Sequence, residues 1–288
     1  MNNIKNIKVT AETVETSYID VNGIKIAFRK FGVESGVPLV FCHRFRGTMD
    51  DWDPAVVNRL AEHRTLILFD NVGVGNSEGV AANSIPIMAD YAIAFIEALG
   101  LKKIDLFGFS MGGFVAQTVT IKRPDLVRRL VLAGTGPGSG EGIRGIQPEV
   151  FQVALKPVNV DEDFLYLFFE PTESSQVKGK EYLKRLQNRH KDRSPLVKQE
   201  SFMAQAQALQ KTGGEDSLFP HLAEIKQPVL VMNGDNDIMA PSINSYIMSQ
   251  KIENAQLIIY PDSGHGFLFQ YSKMFAEHVT TFLNNDLE

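Results

Sequence analysis

The chain has 288 residues, 44% hydrophobic and 22% charged, an ordinary globular composition that fits one or two domains. A net charge of −5 argues against a phosphate-backbone partner, and no apolar run approaches the roughly 18 residues that a membrane span needs. The stretch MNNIKNIKVTAETVETS has no apolar signal core, and the single cysteine, Cys42, permits no intramolecular disulfide; both fit a cytoplasmic location.

A hairpin is expected first. SYIDV and IKIAFRKF flank Asn22-Gly23, which supplies the two positive-φ residues of a tight turn, and Ile24, Ile26 and Phe28 alternate. Short apolar runs follow: PLVFC (38–42), TLILF (65–69), KIDLF (103–107), RLVLA (129–133), PVLVM (228–232) and QLIIY (256–260). Runs of this length suit strands buried on both faces of a parallel sheet. Met88, Ala92, Phe95 and Leu99 recur at helical spacing before Gly100, and Phe275, Val279 and Phe282 do so near the end. Alternating strand and helix predicts an α/β fold with a mostly parallel central sheet flanked by helices.

The alternation stops between about 138 and 225. There DEDFLYLFF, GKEYLKRLQNRHKDR and ESFMAQAQALQ read as helices with no strand run between them. The hinge-like loop GTGPGSGEG lies upstream and Pro228 downstream. The expected division is a core of residues 1–137 and 226–288 and a helical cap of residues 138–225. Phe164, Tyr166, Phe168 and Phe169 would form either a pocket roof or the cap's own core. The basic stretch Lys178–Arg193 reads as a solvated helix face.

One short stretch carries chemistry. Gly108-Phe109-Ser110-Met111-Gly112 joins the strand KIDLF to the helix FVAQTVTIKRP, so G-x-S-x-G stands in the strand–turn–helix setting that the motif requires. The turn lifts the Ser110 hydroxyl to a helix N-terminus, at the carboxyl end of a strand, where open parallel sheets bind ligands. A serine hydroxyl needs a base, and the base needs an orienting acceptor. Of six histidines, His63 and His278 fall on surface helices, His190 in a charge run, His221 near the cap exit and His43 at a strand end. His265 stands in the glycine-rich PDSGHGF, which can carry an imidazole over the top of the sheet. NGDNDIMAP, after PVLVM, offers Asp235 and Asp237. The glycines of DNVGVGNS miss the dinucleotide spacing, and no spaced Cys/His set suggests a metal.

Taken in order, these motifs resemble the α/β-hydrolase superfamily, specifically its capped, cofactor-independent serine hydrolases of the haloperoxidase-like or esterase/lactonase-like branch. HRFRGTMDDWDP matches the loop after the third strand, DNVGVGNS the D-x-x-G-x-G-x-S turn, GFSMGG the nucleophile elbow, and GDND with SGHG the acid and histidine loops. The resemblance spans about residues 18–283. It implies Ser110 as nucleophile, Asp237 as acid and His265 as base, with Asp235 and Asp262 as turn formers. It implies an oxyanion hole made by the backbone N–H groups of Met111 and Phe45. Where the family usually reads H-G-x, this chain reads His43-Arg44-Phe45. Arg44 and Arg46 would either anchor substrate or pair with Asp50, Asp51 or Asp70.

The implied activity is cleavage of a small, mostly apolar ester, lactone or thioester through an acyl-enzyme, with no cofactor and no metal. The partner would be a small-molecule acyl substrate, not a nucleic acid or membrane, and the chain would be a monomer or a homodimer. Peroxide interception of the acyl-enzyme (haloperoxidase or perhydrolase activity) is one alternative. A ligand-sensing or signalling protein on the same fold is the other.

Overall fold

The structure, a computed structural model, describes residues 9–284. Its eight-stranded sheet comprises β1 (Ser17–Val21), β2 (Ile24–Gly32), β3 (Leu39–Cys42), β4 (Thr65–Phe69), β5 (Ile104–Phe109), β6 (Val127–Ala133), β7 (Val229–Gly234) and β8 (Ala255–Tyr260). Spatial order is β1-β2-β4-β3-β5-β6-β7-β8. β1 and β2 pair antiparallel, β2 and β4 likewise, and every other pairing is parallel. The continuous apolar runs explain the centre: every residue of β3, β4, β5 and β7 is buried. The hairpin turn is the expected one, with Asn22 at φ 54° and Gly23 at φ 83°.

The helices are α1 (Pro54–Ala61), α2 (Ile85–Ala98), α3 (Met111–Lys122), α4 (Pro148–Ala154), α5 (Asp161–Phe168), α6 (Glu173–Leu186), α7 (Gln199–Lys211), α8 (Ser242–Lys251), α9 (Phe267–Gln270) and α10 (Ser272–Asn284). Strand alternation divides the apolar residues between two faces. Phe41, Phe107, Phe109 and Met232 share a cluster with residues of α1 and α10. Val40, Leu106, Leu132 and Val231 share one with residues of α2, α3 and α8. Helix α3 is so central that it buries polar residues as well. Thr118 and Thr120 donate to the carbonyls of Phe114 and Ala116, one turn back, and the Gln117 amide donates to those of Gly113 and Gly136.

From β3 the chain steps to β4 on one side and then to β5 on the other. The carboxyl ends of β3 and β5 therefore flank a topological switch point, the usual place for a ligand in such a sheet. Between β6 and β7 lie α4 to α7 and no strand among the described residues. Helix α4 is additional to the three helices the sequence suggested. The entry loop is stitched to the far end of this stretch: Leu218 N donates to Pro137 O at 2.8 Å and Ser139 N to Thr212 O at 3.1 Å. Among the described residues no helix is long and apolar enough to cross a membrane.

Candidate active site

Ser110 caps α3 with φ 55° and ψ −120°, a conformation that a residue with a side chain adopts only under strain, of order 1–3 kcal/mol. The neighbours impose it. Ser110 N donates to Ala133 O at 3.0 Å, and Thr135 Oγ1 donates to Ser110 O at 2.8 Å. A Cβ at Gly108 would lie 2.5 Å from Gly112 O, and one at Gly112 would lie 2.1 Å from Cys42 O. Those two glycines let α3 close onto β5 and onto the end of β3. The loop 43–47 is thereby brought beside the elbow. The Ser110 side of the turn remains partly open to solvent while Phe109 and Met111 are buried.

His265 and Asp237 meet directly: His265 Nδ1 donates to Asp237 Oδ2 at 2.8 Å, both residues almost fully buried. The other oxygen, Asp237 Oδ1, accepts the amides of Met239 and Ala240, each at 2.8 Å. Three donors thus fix the carboxylate, and with Nδ1–H directed at it, Nε2 is the ring nitrogen turned away from Asp237. Asp235 does something else, accepting the amides of Asp262 and Ser263 at 3.1 Å. The His265 ring packs on Phe109, with centroids 4.8 Å apart, so it stands beside the elbow. Among the described residues the Ser110 hydroxyl makes no hydrogen bond, to His265 or to any other group.

The amides of Phe45 and Met111 likewise donate to no protein acceptor among the described residues. The loop that carries Phe45 is held by its arginines. Arg44 pairs with Asp51 at 2.6 Å. Arg46 (φ 58°) does not pair with an aspartate; it donates to the carbonyls of Lys156 and Pro157, both at 2.7 Å, and to Asn159 Oδ1 at 3.0 Å. Its backbone N–H goes to Gln205 of α7 at 2.8 Å. Sequence spacing carried no signal of this clamp, because carbonyl acceptors are the same at every residue.

Two neighbouring groups titrate abnormally. Burial pushes the His43 imidazole down to about 4 and the Asp70 carboxyl up to about 6. Asp70 organises the DNVGVGNS turn, accepting Met49 N and Asn76 N at 2.8 Å and Ser194 Oγ at 2.9 Å. Burial likewise raises the Cys42 thiol to about 12, so it stays protonated and inert.

The aromatic cluster divides. Tyr166 is exposed, Phe169 is buried against Tyr182, and Phe164 and Phe168 lie under the Arg44 guanidinium. Phe168 also meets the His265 ring at 5.1 Å, and its carbonyl accepts Gly266 N at 2.7 Å. The end of α5 therefore holds the histidine loop, a role the aromatic pattern alone does not reveal.

A strained serine elbow at the switch point of a mostly parallel sheet, beside a buried histidine–aspartate pair, defines a hydrolase architecture. The chain belongs to the alpha/beta hydrolase fold family, whose model matches residues 37–270. An alpha/beta hydrolase fold protein from Chitinophaga pinensis is 35% identical, with a TM-score of 0.90 over 96% of this chain and 100% of that one. The 2-hydroxy-6-oxononadienedioate/2-hydroxy-6-oxononatrienedioate hydrolase of Escherichia coli K12 is 28% identical over 76% of each chain. The pimeloyl-[acyl-carrier protein] methyl ester esterase of Pectobacterium carotovorum is 26% identical over 85% of this chain and 93% of its own. Both named relatives are hydrolases, which supports hydrolase activity here.

Proposed function

We propose that this protein is a serine hydrolase that cleaves a small, mostly apolar carboxylic ester, lactone or thioester through an acyl-enzyme. The observation that carries the reading is the Asp237–His265 pair packed on Phe109, beside the strained Ser110 turn. Ser110 Oγ attacks the carbonyl carbon while His265 Nε2 takes its proton. Asp237 holds the imidazole in the required tautomer and stabilises the imidazolium that forms. The carbonyl oxygen becomes an oxyanion against the amides of Met111 and Phe45 at the α3 N-terminus. Collapse expels the alcohol or thiol, protonated by His265. Water, deprotonated by the same imidazole, then releases the acid and restores Ser110. The stretch 138–225 acts as a cap that governs access.

The pimeloyl-[acyl-carrier protein] methyl ester esterase relative favours the ester reading over the alternatives. A panel of p-nitrophenyl esters, thioesters and lactones tests it. Turnover on at least one class, absent in Ser110→Ala, is the expected result. No turnover on any class by the folded wild type would contradict it.

A further inference from the structure

Gln205 of α7 is fully buried, yet only half of its amide is satisfied. Its Oε1 accepts the Arg46 N–H at 2.8 Å, and its Nε2 has no acceptor among the described residues. The narrow cavity that it borders is mostly apolar, with Phe69, Val72 and Phe95 among its walls and Asn71 and Tyr91 as the other polar members. An unmatched buried donor costs about 1–3 kcal/mol. A leucine would fill the position without stranding that donor. What the glutamine adds is the bond to Arg46.

Arg46 follows Phe45, whose amide is the second proposed oxyanion donor. It stands at φ 58°, in the left-handed region, where a non-glycine residue is strained by about 1–3 kcal/mol. Two planar peptide units meet at Phe45. In the unit joining Arg44 to Phe45, the Arg44 carbonyl accepts Gly47 N–H at 3.0 Å, and the Phe45 N–H has no protein acceptor among the described residues. In the unit joining Phe45 to Arg46, the Phe45 carbonyl accepts Arg44 Nη1 at 2.9 Å and the Arg46 N–H goes to Gln205. Gln205 therefore fixes the rotation of the second unit, against which the first is aimed. The Arg46 side chain adds its bonds to the Lys156 and Pro157 carbonyls and to Asn159 Oδ1, and lies 4.7 Å over the Phe202 ring of α7. The Phe45 ring meets the same Phe202 at 5.5 Å. Each of these anchors outside the turn belongs to the stretch between β6 and β7.

We propose that Gln205 and Arg46 are positioning residues that align the Phe45 N–H for the oxyanion. The stretch 138–225 then does more than govern access, because stabilisation of the transition state depends on its being docked on this turn. The inference rests on the serine-hydrolase reading of Ser110.

Gln205→Leu removes the acceptor and the unmatched donor together, and Gln205→Glu keeps an acceptor oxygen in the same place. Two quantities are read: the kinetics on p-nitrophenyl acetate, and the inhibition constant of a short alkyl trifluoromethyl ketone. Ser110 Oγ adds to the ketone carbon as His265 takes its proton, and the ketone oxygen becomes an oxyanion on the same amides. In Gln205→Leu, kcat is expected to fall at least about tenfold with KM little changed, and the inhibition constant to rise by a similar factor. The apparent pKa of the pH–rate profile should not move, since the His265–Asp237 pair is untouched. Gln205→Glu should restore most of the loss, and Arg46→Met should reproduce it. Should Gln205→Leu fail to fold, Arg46→Met reads the same two quantities. Unchanged kcat and inhibition in the folded variants overturn the proposal. So does a slower rate with the inhibition constant unchanged, which would mean an effect on access alone, or a loss that Gln205→Glu does not reverse. Wild-type turnover that disappears in Ser110→Ala keeps the underlying reading standing in each of these cases. A wild type that hydrolyses no ester and is not inhibited by the ketone overturns both.

Discussion

Asp237 and Asp235 are two residues apart in one loop, yet they hold different partners. Asp237 orients His265, and Asp235 ties down the turn that carries Asp262 and Ser263. Asp237→Asn should therefore cost about 10⁴-fold in turnover with the fold intact, whereas Asp235→Asn should be mild. Steady-state kinetics with circular dichroism separates the two, and the reverse ranking would mean the wrong carboxylate has been assigned. His43 supplies a stability prediction. Its folded pKa of about 4 lies below the ordinary 6.5, so the unfolded chain binds the extra proton between those values. The sign follows: stability present above about pH 6.5 is lost as the pH falls toward 4, by on the order of 3 kcal/mol. His43→Gln should remove that component from the pH dependence of the urea midpoint, and an unchanged slope would refute the assignment. At this scale much of the site was legible, because G-x-S-x-G, GDND and SGHG name residue types at fixed offsets. The Arg46 clamp was not, since its partners lie more than 100 positions away in the chain.

Helix α5 is where an element does two jobs. Phe164 faces Arg44, Phe168 supports the His265 ring and Phe169 fills the core. Phe164→Ala should shift preference among acyl chains while p-nitrophenyl acetate turnover stays within about tenfold. Phe168→Ala should instead lower kcat on all esters, because the imidazole loses its packing. Phe169→Ala should cost about 3–5 kcal/mol of stability. Equal effects of the first two on every ester would mean that α5 only packs. The strands were readable because residues buried on both faces form unbroken apolar runs, as in TLILF. Helices α4, α8 and α9 were not read, and the surface helix expected at His63 ends just before it, at Ala61. Helix α4 has only seven residues, too few for a periodicity, and in α8 only Asn244, Ser245 and Met248 are buried, leaving little apolar pattern.

At the scale of the molecule, the stretch between β6 and β7 is tied to the sheet by ionic and polar contacts. Arg185 of α6 grips the fully buried Asp53 at 2.8 and 2.6 Å, and Ser194 reaches Asp70. Arg185→Met should leave Asp53 buried without its partner and cost about 3–5 kcal/mol, read as a drop in the denaturation midpoint. A change within error would mean that water replaces the arginine at no cost. The α/β class followed from alternation, but the strand order that brings the ends of β3 and β5 together is long-range, and a local pattern does not encode it. Motif order supplied it through resemblance. The claim on which the rest depends is that Ser110 is the nucleophile. Mass spectrometry of the chain after treatment with a fluorophosphonate measures it most directly. One label on the peptide containing Ser110, with label and esterase activity both lost in Ser110→Ala, is the predicted result; labelling and turnover that persist in a folded Ser110→Ala chain would contradict it.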